Sequence, residues 1–329
     1  MDETNQPEIL ATINSCASDE RSQILNPACA YSVTDGVLHD RARGRAVPYR
    51  SYAPAPPDGV YPLILLSHGI GGTRESMPYL GRSLAESGYV ALHLQHPATD
   101  NSVWQHAMSP PDVYRALREA MWDANAARAR FQDVPFVLRE LARLNHEGPL
   151  AGHLDLGCVG MAGHSYGGVS TMVAAGQRMG PGGQWFFKEP RVRAGLVMSP
   201  NMPIQGGDLA ALYRDIDIPL FHITGTEDGN AVPGNKEFDP IQRTIPYEVL
   251  TIPHQYLLVL DGAGHNAFSG LEHGPHAHGA EVETRYTSAV AAGALLFFDG
   301  YLKGDSAAVQ ALRHGFKSGL KPTDRFEWK

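Results

Sequence analysis

The chain has 329 residues, of which 43% are hydrophobic and 19% are charged, and these proportions exclude an intrinsically disordered chain. Its 27 basic and 35 acidic residues give a formal net charge of −8, which argues against a nucleic-acid partner. No run reaches the ~20 apolar residues that a membrane span requires, so we expect a soluble protein without such a span.

Residues 1–30 are polar and show no clear periodicity, which predicts an N-terminal extension. They lack the basic start and apolar centre of a signal peptide, so we expect a cytoplasmic protein unless a leader has been removed. Cys16 and Cys29 lie in this extension, and the sequence leaves open whether they form a disulfide in an oxidising compartment. Cys158 precedes an apolar run, which indicates a buried, unreactive thiol.

The first regular elements are predicted to form an antiparallel hairpin. Tyr31–Leu38 and Ala46–Tyr52 have strand character and flank the charged stretch Asp40–Arg45. Pro54–Pro62 contains four prolines, which predicts a loop after the hairpin.

Strands and helices alternate along the rest of the chain. The pattern predicts an α/β protein with a mostly parallel central sheet and helices on both faces. We expect a single domain over residues 31–329, with insertions near 100–125, 180–190 and 229–255. The predicted strands are Leu63–Ser67, Val90–Leu94, Cys158–Ala162, Ala194–Met198, Leu220–Thr224 and Tyr256–Leu260, and the predicted helices are Glu75–Glu86, a long one from about Asp112 to Leu144, Gly168–Gln177 and Thr287–Tyr301.

The most informative segment is Gly163–Gly168, which reads Gly-His-Ser-Tyr-Gly-Gly between a predicted strand and a predicted helix. In that context Gly-x-Ser-x-Gly is typical of a nucleophile elbow, a sharp turn that exposes the serine hydroxyl. Gly163 and Gly167 permit a close backbone approach, and the first amides of the helix point toward developing negative charge. We therefore predict Ser165 as a nucleophile.

A second glycine-rich turn, His68–Gly72, follows the predicted strand Leu63–Ser67. A turn in this place supplies the other donor of an oxyanion hole. We predict that the backbone N–H groups of Ile70 and Tyr166 form this hole.

The base and its orienting acid are expected after later strands, where sites assemble at the carboxyl edge of an open sheet. Asp228 follows the predicted strand Leu220–Thr224, and His265 follows Tyr256–Leu260. We predict His265 as general base and then acid, with Asp228 holding the imidazole in the required tautomer.

Other carboxylates compete for the role of the acid. Glu227 is adjacent to Asp228, but its side chain is expected on the other side of the turn. Asp261 precedes His265 by four residues and is expected to cap that loop. Ala194–Met198 is followed by no carboxylate until Asp208, which disfavours an acid after that strand.

Two further patterns concern binding. His273, His276 and His278 are clustered, but no carboxylate or cysteine lies nearby at ligand spacing, so we favour a solvated loop and expect no metal site. Trp104 and Trp185 lie in predicted insertions, and we hypothesise that they line a substrate pocket, since small-molecule sites are mostly apolar.

The elbow, the His68–Gly72 turn and the segment Gly262–His265 resemble those of the α/β-hydrolase superfamily. The fuller pattern resembles its dienelactone hydrolase-like and platelet-activating-factor acetylhydrolase-like branch over roughly residues 45 to 315. The resemblance implies an α/β-hydrolase fold, a triad of Ser165, Asp228 and His265, and an oxyanion pair of Ile70 and Tyr166. The sequence departs from dienelactone hydrolases, which use a cysteine nucleophile. It also departs from the acetylhydrolases, which place the acid one strand earlier than Asp228, where this chain has Asn201.

We predict a serine hydrolase that cleaves a small-molecule carboxylic ester through an acyl-enzyme, without a metal or organic cofactor. An amidase or peptidase would use the same triad and remains an alternative. A non-catalytic binding protein on the same fold is a third possibility, which the presence of all three triad residue types disfavours. The sequence leaves the identity of the ester and the oligomeric state open.

Overall fold

The computed structural model describes residues 31–147, 151–200, 208–229, 239–270 and 280–329. The predictions for residues 1–30, for the Cys16–Cys29 disulfide and for the cluster of His273, His276 and His278 lie outside these residues. The described strands are β1 (Tyr31–Asp40), β2 (Arg45–Pro54), β3 (Tyr61–Ser67), β4 (Val90–Leu94), β5 (Leu154–His164), β6 (Val192–Met198), β7 (Leu220–Glu227), β8 (Gln255–Gly264) and β9 (Arg325–Trp328). The described helices are α1 (Pro78–Glu86), α2 (Pro110–Trp122), α3 (Ala124–Glu147), α4 (Tyr166–Ala175), α5 (Leu209–Tyr213), α6 (Ile245–Val249), α7 (Ala280–Leu302) and α8 (Ser306–Gln310).

All the described strands belong to one sheet, in the order β1-β2-β4-β3-β5-β6-β7-β8-β9. The central strands from β4 to β8 pair in parallel, whereas β1 with β2, β2 with β4, and β8 with β9 are antiparallel. The fold therefore has a parallel centre with antiparallel edges, and its first two strands form the predicted hairpin.

Helices cover both faces of this sheet, which explains why β3 is apolar at every position from Leu63 to Leu66. Leu63 and Leu65 pack in the cluster on one face, with residues of α3, whereas Ile64 and Leu66 pack on the other, with residues of α1 and α7. Successive side chains of a strand point to opposite faces, so each face receives every second residue. The mostly parallel sheet, the two helical layers and the hairpin confirm the prediction of an α/β-hydrolase fold.

Some elements differ from the sequence-based expectation. The single long helix predicted from about Asp112 to Leu144 is wrong, because α2 ends at Trp122 and α3 begins at Ala124. Asp123 between them is extended, and its carboxylate accepts hydrogen bonds from the N–H groups of Asn125 and Ala126 at 2.8 and 3.1 Å. It therefore caps the second helix and ends the first.

Strand β9 and helices α5, α6 and α8 were not predicted from the sequence. Strand β9 has only four residues and is defined by its antiparallel pairing with β8 rather than by a long apolar pattern. Among the helices that the structure describes, none combines the length and the hydropathy that a membrane crossing requires.

Candidate active site

Ser165 occupies a strained turn between the end of β5 and the start of α4. Its backbone has φ 57° and ψ −116°, a conformation that residues other than glycine rarely adopt. A Cβ atom on Gly163 would lie 2.1 Å from the carbonyl oxygen of Gly167, and one on Gly167 would lie 1.8 Å from that of Ser67. Both glycines are therefore required by contact with other backbone atoms, as the elbow pattern predicts.

Asp228 and His265 are brought together by neighbouring strands. Asp228 follows β7, His265 follows β8, and His265 Nδ1 lies 2.7 Å from Asp228 Oδ1. The hydroxyl groups of Ser199 and Thr224 donate to the other carboxylate oxygen at 2.5 and 2.7 Å. Burial would raise the pKa of Asp228, but His265, Arg243 and Ser199 outweigh it and lower that pKa to about 2. Asp228 is therefore ionised at neutral pH and accepts the His265 Nδ1–H.

The imidazole of His265 lies beside the elbow. His164, which precedes Ser165, donates from Nε2 to the carbonyl oxygen of His265 at 2.7 Å, and the two rings are 4.9 Å apart. Among the described residues, His265 Nε2 has no hydrogen-bond partner, so it is not hydrogen bonded to the Ser165 hydroxyl. The structure thus pairs the predicted acid with the predicted base, and the ring of that base packs beside His164 of the elbow.

A buried arginine adjoins this pair. Arg243 Nε lies 2.7 Å from Asp228 Oδ1, and the guanidinium also donates to the carbonyl oxygens of Ser199 and Gly229 at 3.0 and 2.7 Å. Burial, and after it the charge of Arg243, lower the pKa of His265, while Asp228 acts in the opposite sense. The imidazole is therefore neutral at neutral pH, as a general base must be.

The glycine-rich turn after β3 passes next to Ser165. A Cβ atom on Gly69 would lie 3.3 Å from that of Ser165, and the Gly71 N–H donates to the carbonyl oxygen of Thr99 at 2.8 Å. Tyr166 is the first residue of α4, where backbone amides have no acceptor within the helix. Ile70, which follows Gly69 in this turn, packs against the cluster of buried residues that contains Tyr166, so the two residues predicted for the oxyanion hole lie near each other and near Ser165.

Both predicted pocket tryptophans lie near these two residues. Trp104 Nε1 donates to the carbonyl oxygen of Gly71 at 2.8 Å, so its ring adjoins the turn that carries Ile70. Trp185 and Ile70 both pack against the cluster of buried residues that contains Tyr166. His96, which follows β4, is fully buried, and its ring lies 5.4 Å from that of His68.

Asp228, and neither competing acid, accepts the hydrogen bond of His265 Nδ1 in the described structure. Glu227 is exposed at the end of β7, and Asp261 is half-buried four residues before His265. No cluster of three potential metal ligands occurs in the ranges that the structure covers.

A second buried network was missed by the sequence reasoning. The Ser67 hydroxyl donates to His96 Nε2 at 3.0 Å, and His96 Nδ1 donates to Asp133 Oδ2 at 2.9 Å. The directions follow from burial and the charge of Arg130, which lower the pKa of His96 to about 4 and keep it neutral. Arg130 also lies in this network. A signal was available: Arg130 and Asp133 are charged residues within the amphipathic stripe of α3.

Two comparisons with known proteins agree with the resemblance. A family model for platelet-activating factor acetylhydrolase, isoform II, matches residues 31–112. A platelet-activating factor acetylhydrolase from Cavia porcellus is 24% identical over 200 residues, which cover 54% of this chain and 43% of the relative. The chain therefore spans less than half the length of that curated relative.

These findings confirm the resemblance to the platelet-activating-factor acetylhydrolase-like branch of the α/β hydrolases. The family match includes the turn at His68–Gly72 and ends before Ser165, Asp228 and His265. The roles of these three residues therefore depend on the geometry of the site.

Proposed function

We propose that this chain is a serine hydrolase that cleaves a small-molecule carboxylic ester through an acyl-enzyme intermediate. The observation that carries the proposal is the 2.7 Å contact between His265 Nδ1 and Asp228, in a ring that packs beside His164 of the elbow and whose Nε2 has no hydrogen-bond partner among the described residues. The strained backbone of Ser165 supports its role as the nucleophile. The similarity to platelet-activating factor acetylhydrolases supports ester hydrolysis.

In the proposed reaction, His265 Nε2 takes the proton of the Ser165 hydroxyl as Oγ attacks the ester carbonyl. The resulting oxyanion accepts hydrogen bonds from the N–H groups of Ile70 and Tyr166. Asp228 stabilises the imidazolium, which then returns the proton to the leaving alcohol. Water repeats the sequence on the acyl-enzyme, and Ser165 is regenerated. Because hydrogen bonds of this kind often tighten only when substrate binds, the open His265 Nε2 is compatible with this role.

The decisive experiment is labelling by a fluorophosphonate, which reacts with an activated serine. Wild-type protein should be labelled and should hydrolyse p-nitrophenyl esters, and Ser165→Ala should lose both properties, with kcat reduced by about 10⁶-fold. Ser32→Ala, on the edge strand β1, is the matched control and should still be labelled. Labelling retained in Ser165→Ala would refute the proposal. Parallel ester and amide substrates distinguish an esterase from an amidase.

We further propose that Trp104 and Trp185 line the pocket for the acyl or alcohol group. Their contacts with the turn and with the Tyr166 cluster support this role. Trp104→Ala and Trp185→Ala should change the dependence of kcat/KM on acyl length across a panel that includes short-chain phospholipid esters. Trp122→Ala is the control, because that side chain is 59% exposed at the end of α2. An unchanged profile in either variant would remove that tryptophan from the pocket.

A further inference from the structure

We propose that Arg130 is a positioning residue for the oxyanion hole: its guanidinium joins the turn at His68–Gly72 to helix α4 and thereby fixes Ile70 and Tyr166 relative to each other. The inference rests on the proposed function, because an oxyanion hole matters only when Ser165 attacks a carbonyl group. Arg130 is fully buried, so it contacts no substrate and acts through the groups that it holds.

One set of contacts fixes the turn that carries Ile70. Arg130 Nη2 donates to the Ser67 hydroxyl at 2.9 Å and to the carbonyl oxygen of His68. Arg130 Nη1 donates to Thr99 Oγ1 at 2.9 Å, and the backbone oxygen of Thr99 accepts from Gly71 N–H at 2.8 Å. The guanidinium therefore contacts His68, at the start of the turn, directly. It is connected to Gly71, the residue after Ile70, through Thr99.

A second set of contacts fixes the start of α4. Arg130 Nε donates to Ser170 Oγ at 2.9 Å, and this hydroxyl donates to the carbonyl oxygen of Tyr166 at 3.0 Å. The guanidinium carbon also lies 4.8 Å from the centre of the Tyr166 ring. Both residues of the proposed oxyanion hole are thus connected to one rigid, planar cation, whose donors have a fixed relative geometry.

The charge of Arg130 supports the same role. Its described hydrogen bonds all go to hydroxyl and carbonyl oxygens, and no ion pair with a carboxylate is formed within the described part of the chain. Burial lowers the pKa of Arg130 to about 10, so the group stays protonated at neutral pH. The carboxylates of Asp133 and Asp100 act on Arg130 without a direct ion pair, and a cation in a low-dielectric interior favours negative charge that develops nearby.

Ser67 is held so that it can accept from this cation. Its hydroxyl proton is directed to His96 Nε2, and His96 is in turn held by Asp133, which leaves the lone pairs of Ser67 for Arg130. Asp133 is anchored by two hydrogen bonds from Arg45, each 2.8 Å long. The buried network therefore fixes the guanidinium on the side of the turn.

The test compares wild-type protein with Arg130→Lys and Arg130→Met in ester hydrolysis and in the binding of a trifluoromethyl ketone with the same acyl chain. The ketone forms a tetrahedral oxyanion adduct with the nucleophile, so its affinity reports the oxyanion hole. We expect kcat to fall about 10²–10³-fold in Arg130→Met and about tenfold or more in Arg130→Lys, with KM within about threefold. Inhibitor affinity should fall in parallel with kcat/KM.

Arg313→Met serves as the control, because Arg313 is half-buried, stacks on Trp328 and donates to Tyr256, far from the carboxyl ends of the strands. It should keep both kcat and inhibitor affinity. If Arg130→Met fails to fold, Arg130→Lys and Thr99→Val, which removes one acceptor of the guanidinium, provide the test.

An Arg130→Lys variant with unchanged kcat, or a fall in kcat without a fall in inhibitor affinity, would overturn the inference. The proposed function fails separately, by fluorophosphonate labelling that survives in Ser165→Ala.

Discussion

The Ser67–His96–Asp133 network and the Ser165, His265 and Asp228 group use the same three residue types, yet they differ in geometry. In the first, both hydrogen bonds of the series are formed, at 3.0 and 2.9 Å, and all three side chains are fully buried. In the second, the Asp228–His265 contact is 2.7 Å and His265 Nε2 has no partner in the part of the chain described.

We infer from this difference that a Ser-His-Asp series does not by itself create a nucleophile. Ser67 ends a regular strand, and its hydroxyl oxygen also accepts from Arg130. Ser165 has a positive φ of 57° at the start of a helix, where backbone amides have no acceptor within the helix. We therefore propose a supporting role for the Ser67–His96–Asp133 network. We propose the catalytic role for the group of Ser165, His265 and Asp228.

Replacing the two histidines tests this comparison most strongly. His265→Ala should reduce kcat by about 10⁶-fold with little loss of stability, because it removes the general base. His96→Ala should lower the free energy of unfolding by about 2–4 kcal/mol, since it removes a fully buried side chain together with its hydrogen bonds to Ser67 and Asp133, and should reduce kcat far less. Kinetics and urea unfolding of both variants provide the measurement, and equal losses of kcat would contradict the assignment.

Replacing the two carboxylates should give a smaller effect of the same kind. Asp228→Asn should reduce kcat by about 10⁴-fold, because the amide no longer holds the required tautomer of His265. Asp133→Asn should keep kcat within about tenfold, since it contacts no reacting atom. It should instead destabilise the fold by about 3 kcal/mol, because Arg45 loses its carboxylate partner and Arg43 loses one of two. A catalytic loss in Asp133→Asn as large as that in Asp228→Asn would refute the distinction.

The pH dependence of kcat/KM tests whether Arg243 lowers the pKa of His265, the proposed general base. Since burial and Arg243 lower the pKa of His265, and a general base must be neutral, activity should persist below pH 6.5 and decline only at more acidic values. Arg243→Gln removes a positive charge that faces the Asp228–His265 pair, so the acidic limb should move to higher pH by about one unit. A pH–rate profile of the wild-type protein and of Arg243→Gln provides the measurement. A shift of the acidic limb to lower pH would contradict the predicted effect of Arg243 on the pKa of His265.

Parts of the site that depend on contacts between near neighbours in sequence were predictable. Gly163 and Gly167 touch each other within one turn, so the elbow is visible as a five-residue pattern. The order of Ser165, Asp228 and His265 follows from the strands that precede them, because parallel strands end at one edge of the sheet. By contrast, the division of the long helix at Asp123 and the short strand β9 have weak local signals, and their positions depend on capping and on pairing with β8.

The sequence by itself determined the alternation of elements, the α/β-hydrolase class and the residues proposed for the triad, because these depend on local periodicity and short motifs. Only the tertiary structure decided that Arg130 contacts both the turn after β3 and helix α4, and that Arg243 adjoins Asp228. Arg130 lies 62 residues from His68 and 40 from Ser170 along the chain. Hydrogen bonds over such separations depend on how helices pack against the sheet, which no local pattern records.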